Sequence, residues 1–544
     1  MKKTIFFCLA IIVVISIPLK LYTVDFSIGI HHDDLEYVLD AIQYSEGDFF
    51  LDQKKNPGWP LFLTPFISLL NSEHFLDYSN FARILTLTIS TITIFPIYVL
   101  ARKFFSEKYS VVAASLFAFE PHLNYNSGTP FSEPLVILIL ITTMIFILHD
   151  KTKYHYLAFV FAGFCWWIRL EAIYPVIAII LIYFVIHRSK PNSLRNFSLC
   201  MVFLLITISP LFIQRDLQFD DPFYVWYTGT IFADDYTEIL TSPENAGVVG
   251  FVEKHGILGL MERLANGLPN LLNILIRISY PYLLILIPFG ILFSLRPIDQ
   301  KMKNIKANWI MIITIIAVMM IPFTMFEERR WLFPIFPFLI ILATIPIQRV
   351  TNYGLNTFSF NENQKSIFLV IVIGVVLLLS SIFTMGIGEF GYGLPNSALE
   401  HEKLEFTVYL SENFDGRILR DAVSLDYLHY VHFISADDAD FKSFKSTRGK
   451  DPFPDLYKPG QVWWLSVNGK TIKELVTNGE TKGLKYISIL EEGSYFFPFL
   501  SDLYYYEERY PYMEKIFDSG EMNYKEFKIK VFEINYQKFH DLNN

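Results

Sequence analysis

Apolar residues in this chain come in long uninterrupted runs, most of them near the length a helix needs to cross a bilayer. A span takes about 20 mainly apolar residues to cover a hydrocarbon core of about 30 Å. By that measure the candidates begin with Thr4–Tyr22, Phe81–Leu100, Ser110–Phe119, Pro130–Leu148, Tyr154–Ile168 and Ile173–Ile186. They continue with Phe197–Ile213, Ser279–Leu295, Trp309–Phe323, Trp331–Ile347 and Ser366–Met385, about eleven in all by the same rule. Ser110–Phe119 is the shortest and ends on Glu120, and Pro60–Leu70 is too short to cross, which suits an interfacial or re-entrant piece. Lys2 and Lys3 before the first run have the outline of a signal peptide. No small-x-small site follows Leu21-Tyr22-Thr23, so the run is expected to stay as a first helix.

Composition sharpens this picture. At 52% hydrophobic and 17% aromatic residues, with a mean hydropathy of +0.35, the chain is too apolar for an ordinary soluble protein. Cys8, Cys165 and Cys200 all fall inside apolar runs, with no CxxC or zinc spacing, so neither a disulfide framework nor cysteine chemistry is expected. The formal net charge of -9 says little about partners, and no nucleic acid is expected among them.

The distribution of charge gives an orientation. With Lys2 and Lys3 placed in the cytoplasm, alternate connections carry Arg102, Lys103 and Lys108; Lys151 and Lys153; and Arg188, Lys190 and Arg195. Later ones carry Arg296, Lys301, Lys303 and Lys306, then Arg349 and Lys365, as the positive-inside rule requires. An odd number of crossings puts the C-terminus outside. The expected fold is therefore an α-helical polytopic membrane protein over residues 1–390, with outer loops 24–80 and 214–277. A soluble extracytoplasmic α/β domain is expected over 391–544. Within it Glu400–Asn413 and Lys470–Gly479 read as helices, Gln461–Val467, Lys485–Leu490 and Glu526–Tyr536 as strands, and Asp518-Ser519-Gly520 as a turn.

Ionisable residues near the span ends fall on the outer side. Asp33 and Asp34 follow the first helix, Arg83 opens the second, Glu120 closes the third and Glu133 opens the fourth. Arg169 and Glu171 lie between the fifth and sixth, and Glu327, Glu328, Arg329 and Arg330 between the ninth and tenth. Charges at helix ends often only snorkel to the headgroups. Acids rarely do so, however, and a set confined to one side points to a shared polar cavity. Carboxylates beside guanidiniums at a membrane surface suit transfer from a lipid phosphate. A carboxylate takes the proton of an acceptor hydroxyl, and cations stabilise the charge growing on the leaving phosphate.

Several short motifs, in order, carry a resemblance. They are Asp33-Asp34-Leu35-Glu36-Tyr37-Val38-Leu39-Asp40-Ala41, Asn56-Pro57-Gly58-Trp59-Pro60, Phe131-Ser132-Glu133-Pro134, Arg169-Leu170-Glu171-Ala172 and Glu328-Arg329-Arg330-Trp331-Leu332-Phe333-Pro334. Together they resemble the GT-C superfamily of membrane glycosyltransferases, in the branch similar to protein O-mannosyltransferases and the aminoarabinose transferase of lipid A. The resemblance implies an inverting transfer from a dolichyl- or undecaprenyl-phosphate-linked sugar to a glycan, lipid or protein acceptor. It makes Asp33 the base, with Asp34 where the family has Glu, and leaves open which of the two acts and whether a divalent cation bridges them. Arg169, Arg329 and Arg330 match positions where the family keeps cations near the lipid phosphate. Lys54 or Lys55 could join them, and Glu133, Glu171 and Glu328 would be supporting acids.

Other features weigh less. His31 and His32 could ligate a metal with Asp33, but adjacent side chains point apart in regular structure, which favours a surface role. Asp234-Asp235 has the look of a metal-binding pair, though loop acids are more often simply solvated. Val462-Trp463-Trp464-Leu465 invites comparison with the Trp-Trp-Asp motif of oligosaccharyltransferases, but no Asp follows, and a buried strand fits it better. Asn196-Phe197-Ser198 is a sequon that faces the cytoplasm in this topology. The competing readings are a secondary transporter or lipid flippase with an outward-facing polar cavity, and a non-catalytic scaffold. Transporters tend to place ionisable groups at the midplane of repeated halves, and no repeat is visible here.

Overall fold

The structure is a computed structural model. It describes residues 3–30, 32–45, 47, 49, 55–70, 72, 75–223, 232, 248–295, 304–324, 327–387, 391–419, 427–428, 462–494 and 497–543. Lys54, His31 and the Asp234-Asp235 pair lie outside them.

The chain is mostly helical. Its first part runs α1 (Lys3–Leu21), α2 (His32–Ser45), α3 (Gly58–Ile67), α4 (Phe75–Ile92), α5 (Ile94–Ala101) and α6 (Glu107–Ala118). Then come α7 (Pro121–Asn126), α8 (Glu133–Ile147), α9 (Thr152–Ile168), α10 (Tyr174–His187) and α11 (Ser193–Phe219). Further helices cover Val248–Ile278, Leu283–Ser294, Ile305–Met319, Phe336–Arg349 and Glu362–Thr384.

Five helices among the described residues are long and apolar enough to cross a membrane, or six with the bent pair Gly250–Ile278 and Leu283–Ser294 counted as one span. The expected eleven are not reproduced by length. The reason is geometric: α6 has 12 residues and α8 has 15, and at about 1.5 Å per residue neither covers about 30 Å. Such helices are buried by their neighbours. Burial also sorts the long ones, since Arg329–Thr357 is 89% buried whereas Lys3–Leu21 and Ser193–Gln218 are only 22% buried. The first is the centre of the bundle, and the other two present apolar faces outward. Glycines let backbones approach in this bundle: a Cβ on Gly290 would sit 2.3 Å from the carbonyl oxygen of Leu342.

The loop expected at 24–80 carries two helices. In α2 the apolar face Leu35, Val38, Ala41 and Ile42 packs with Trp59, Leu63 and Ile67 of α3 and with Tyr78 and Ala82 of α4. That spacing turns Asp33 and Glu36 to the other side of the helix. The loop expected at 214–277 is also largely helical in its described part, because Val248–Ile278 is a helix with a break at Gly256 (φ 70°).

Towards the C-terminus, five strands form one sheet: β1 (Gly416–Leu419), β2 (Val462–Leu465), β3 (Leu484–Leu490), β4 (Met513–Asp518) and β5 (Ile529–Ile534), in the order β2-β1-β3-β5-β4. β1 pairs parallel with β2 and β3, and the remaining pairs are antiparallel. Separate apolar clusters cover its two faces. Helix Ser397–Asn413 ties the sheet to the rest of the chain. Its Glu402 accepts the backbone N–H groups of Lys525, Glu526 and Phe527 at 2.9, 2.9 and 2.7 Å. Its Leu404 and Val408, with Tyr427, pack into the α2–α4 cluster.

Candidate functional site

The motif Asn56-Pro57-Gly58-Trp59 is a clamp. Asn56 donates to the carbonyl of Trp166 at 2.5 Å, and the Trp59 indole donates to the carbonyl of Pro130 at 2.8 Å. One short segment therefore fixes both the end of α9, where Arg169 stands, and the start of α8, where Glu133 stands. Arg215 of α11 completes the clamp, donating to the Lys55 carbonyl at 2.9 Å and the Asn56 side-chain oxygen at 3.1 Å.

Two ionic networks result. In the first, the carboxylate of Asp33 is held at both oxygens: Lys55 Nζ lies 2.6 Å from Oδ1 and Arg330 Nη2 lies 2.5 Å from Oδ2. Lys55 also reaches Glu36 at 2.8 Å, and Arg330 Nε lies 3.7 Å from Glu328. The Arg330 guanidinium stacks over Phe131, 4.2 Å from the ring centroid. In the second network, Arg169 is paired with both Glu133 and Glu171. Glu133 is fully buried there, and Arg169 is its ion-pair partner.

The paired aspartates part company electrostatically. Burial works against ionising Asp33, but Lys55 and Arg330 outweigh it and hold the carboxyl well below the usual range. Asp34 is buried, its Oδ1 has no hydrogen-bond partner among the described residues, and burial pushes its pKa up to about 8 despite Arg330 nearby. The two carboxyls are thus pushed in opposite directions, Asp33 toward its ionised form and Asp34 toward its protonated one.

Two cavities flank this cluster. The first, of about 310 Å³, is lined by Tyr37, Lys55, Arg169, Glu171 and Arg215, with apolar walls that include Trp331. The second, of about 580 Å³, is lined by Tyr125, Glu327, Glu328, Arg329, Arg330 and Tyr392 among others. They share no lining residue. Asp33 stands between them, bonded to Lys55 of the first and Arg330 of the second.

The structure therefore gathers Asp33, Asp34, Glu328 and Arg330, and sets Arg169, Glu133 and Glu171 beside them. Arg329 is separated from Arg169: it lines the second cavity, which Tyr392 also lines. Lys55 takes the place beside Asp33. Glu120 lines neither cavity; it is fully buried, accepts the Leu123 N–H at 2.8 Å and caps α7. Arg83 instead holds the Ile28 carbonyl at 2.7 Å. Sequence reading missed Arg215, whose signal was its place just past the apolar run Phe197–Ile213, and Tyr392, which had none. For a divalent cation the fit is poor. Both Asp33 oxygens are held by cations, and among the described residues no group of three or more His, Cys, Asp or Glu is placed to hold a metal.

Residues 56–213, the stretch from Asn56 of the clamp into α11, match the family of dolichyl-phosphate-mannose-protein mannosyltransferases. Over nearly its whole length the chain superposes on an oligosaccharyltransferase from Archaeoglobus fulgidus, solved with Zn and sulfate. The identity is 14%, the TM-score 0.57, and the match covers 93% of this chain and 71% of that one. The fold is GT-C. The same GT-C architecture relates the chain to ArnT from Cupriavidus metallidurans bound to undecaprenyl phosphate, at 12% identity and TM-score 0.50 over 97% of both chains. The archaeal AglB solved with an inhibitory peptide and a dolichol-phosphate is also similar, at 13% identity and TM-score 0.55, covering 90% of this chain and 70% of that one. No curated protein matches in sequence.

Proposed function

We infer that this GT-C chain is a membrane glycosyltransferase that moves a sugar from a polyprenyl-phosphate carrier to an acceptor hydroxyl on the extracytoplasmic side. One observation carries the reading: Asp33 is bonded at one oxygen to a residue of the cationic, apolar-walled cavity and at the other to a residue of the polar one. The first cavity suits a lipid phosphate, with Lys55, Arg169 and Arg215 for the charge and aromatic and aliphatic walls for the first isoprene units. The dolichol- and undecaprenyl-phosphate complexes of structures with this fold support that assignment.

In the proposed reaction the acceptor oxygen attacks the anomeric carbon from the face opposite the phosphate, so the configuration inverts. The bond to the phosphate oxygen breaks with its electron pair, and polyprenyl phosphate leaves. Asp33 takes the acceptor proton, releasing one of its two cations as it does so. Arg169 and Lys55 stabilise the charge that develops on the phosphate. Arg330 orients Asp33, and Glu133, Glu171 and Glu328 keep the arginines in place.

On this reading residues 1–390 form the membrane catalytic part and 391–544 an outer domain, with the N-terminus in the cytoplasm. The test is Asp33→Asn in the reconstituted enzyme supplied with a polyprenyl-phosphate sugar. Release of polyprenyl phosphate should fall by about 10²-fold or more, the scale of general-base loss, while the carrier still binds. Undiminished turnover would remove Asp33 from the role.

A further inference from the structure

The donor reading leaves the second cavity unused, and the chemistry of its walls narrows what it can hold. Glu327 and Glu328 stand there with Arg329 and Arg330, so the lining carries no excess of either sign. A phosphate favours a lining with more bases than acids, as in the first cavity, where Lys55, Arg169 and Arg215 face Glu171, and a basic peptide favours the reverse; this lining is neither. One wall is aromatic. Tyr125 stacks on Tyr392 with ring centroids 3.9 Å apart and planes within 9°.

The stack is rigidly backed. The Tyr392 hydroxyl lies 2.6 Å from Nδ1 of the buried His122, and its ring meets His122 and Phe383 edge-on. Tyr125 is nevertheless 43% exposed, which leaves ring surface open for a ligand. A flat apolar platform beside carboxylates and guanidiniums is what a pyranose requires. Its C–H face lies on the ring, and its neighbouring hydroxyls donate to a carboxylate and accept from a guanidinium fork. The cavity also leads to the base, because Arg330 spans from the Phe131 ring to Asp33 Oδ2 at 2.5 Å.

We propose that the second cavity is the acceptor site and that the acceptor is an uncharged sugar, seated on Tyr125 with its hydroxyls held by Glu327, Glu328 and Arg329. The enzyme then extends or decorates a glycan. This rests on the transferase reading above and uses the same step: the sugar hydroxyl loses its proton to Asp33 as its oxygen bonds to the donor carbon and polyprenyl phosphate departs.

The test uses the full chain in lipid nanodiscs and saturation-transfer NMR. The probes are methyl glycosides of neutral hexoses and of neutral disaccharides, with a hexose 6-phosphate and a Ser/Thr-containing octapeptide for comparison. Binding of polyprenyl monophosphate is measured in parallel. A neutral glycoside should receive saturation at its ring protons. Tyr125→Phe should preserve the signal, and Tyr125→Ala and Arg329→Gln should each weaken binding at least fivefold. Polyprenyl phosphate should bind the wild type and Tyr125→Ala alike, which also certifies that the variant is folded. Preference for the octapeptide or the phosphosugar over every neutral glycoside overturns the proposal, and so does glycoside binding indifferent to Tyr125→Ala. Intact glycoside binding with no binding of polyprenyl phosphate instead overturns the transferase reading, and with it the acceptor role.

Discussion

Gly58 lies against the backbone of Trp167 so closely that a Cβ on it would sit 2.6 Å from both the carbonyl carbon and oxygen. Neither is the movable end of a side chain, so a larger residue must push α3 and the end of α9 apart. The clamp runs through this contact, with Lys55 and Asn56 on one side and Arg169 two residues beyond Trp167. Gly58→Ala should lower stability by about 1–3 kcal/mol, the usual cost of overpacking, and weaken binding of polyprenyl phosphate. Thermal unfolding in detergent and a lipid-phosphate titration check both. A variant with wild-type values for the two would show that the contact relaxes without moving the cations.

Arg169 is predicted to matter to the fold as well as to the phosphate. It is the ion-pair partner of Glu133, whose carboxylate is fully buried. Removing one member of a buried pair strands the other, at a typical cost of about 3–5 kcal/mol. Arg169→Ala should therefore unfold at markedly lower temperature, and Arg169→Ala with Glu133→Gln should recover much of the loss. Neither should bind polyprenyl phosphate as the wild type does. Recovery of stability without recovery of binding separates the two roles.

The contrast between these residues shows what could be read from the sequence. Runs of apolar residues marked the helices well, and α1, α8, α9 and α10 begin and end within a few residues of their expected limits. The runs do not tell lipid contact from protein contact, which is why α6 and α8 counted as spans although each is too short to cross alone. Helix Val248–Ile278 was missed because Glu253, Lys254, Glu262 and Arg263 interrupt its apolar pattern. Strand β1 was missed because four residues carry too little periodicity. At the site, Asp33, Arg169 and Arg330 were legible because charges beside apolar runs are costly and therefore informative. Their partners were not: the pairing of Asp33 with Arg330, 297 residues away, follows from tertiary packing alone. Glu120 carried the same signal as Glu133, yet it caps a helix.

The two aspartates should leave opposite marks on the pH dependence of stability. Asp34 is raised to about 8, above its unfolded value of about 4. Between those limits the folded chain keeps a proton that the unfolded chain has released. Its contribution is therefore largest at low pH and is lost as pH rises toward 8. Asp33 is depressed, so its contribution is present above about pH 4 and lost as pH falls below that value. Unfolding temperatures at one scan rate should show Asp34→Asn flattening the decline between pH 5 and 8, on the order of the window set by these values. Asp33→Asn should flatten the decline on the acid side. An Asp34→Asn profile parallel to the wild type would mean that Asp34 is ionised in the folded chain.

The last prediction concerns which side of the membrane the site faces. The basic connections Arg102-Lys103, Lys151 to Lys153 and Arg188 to Arg195 follow α5, α8 and α10, whereas Asp33, Arg169 and Arg330 stand at the opposite ends of helices in the bundle. The positive-inside rule places the first set in the cytoplasm, and the cavities then open on the other side. Helix Ser397–Asn413 packs on the α2–α4 cluster through Leu404 and Val408, so the C-terminal sheet must share that side. A fusion at Asn543 should give active alkaline phosphatase, which needs an oxidising compartment, and a dark cytoplasm-only fluorescent reporter. A fusion at Lys190 should give the reverse. Fluorescence from the C-terminal fusion would put the sheet, the cavities and Asp33 in the cytoplasm and reverse the direction of transfer.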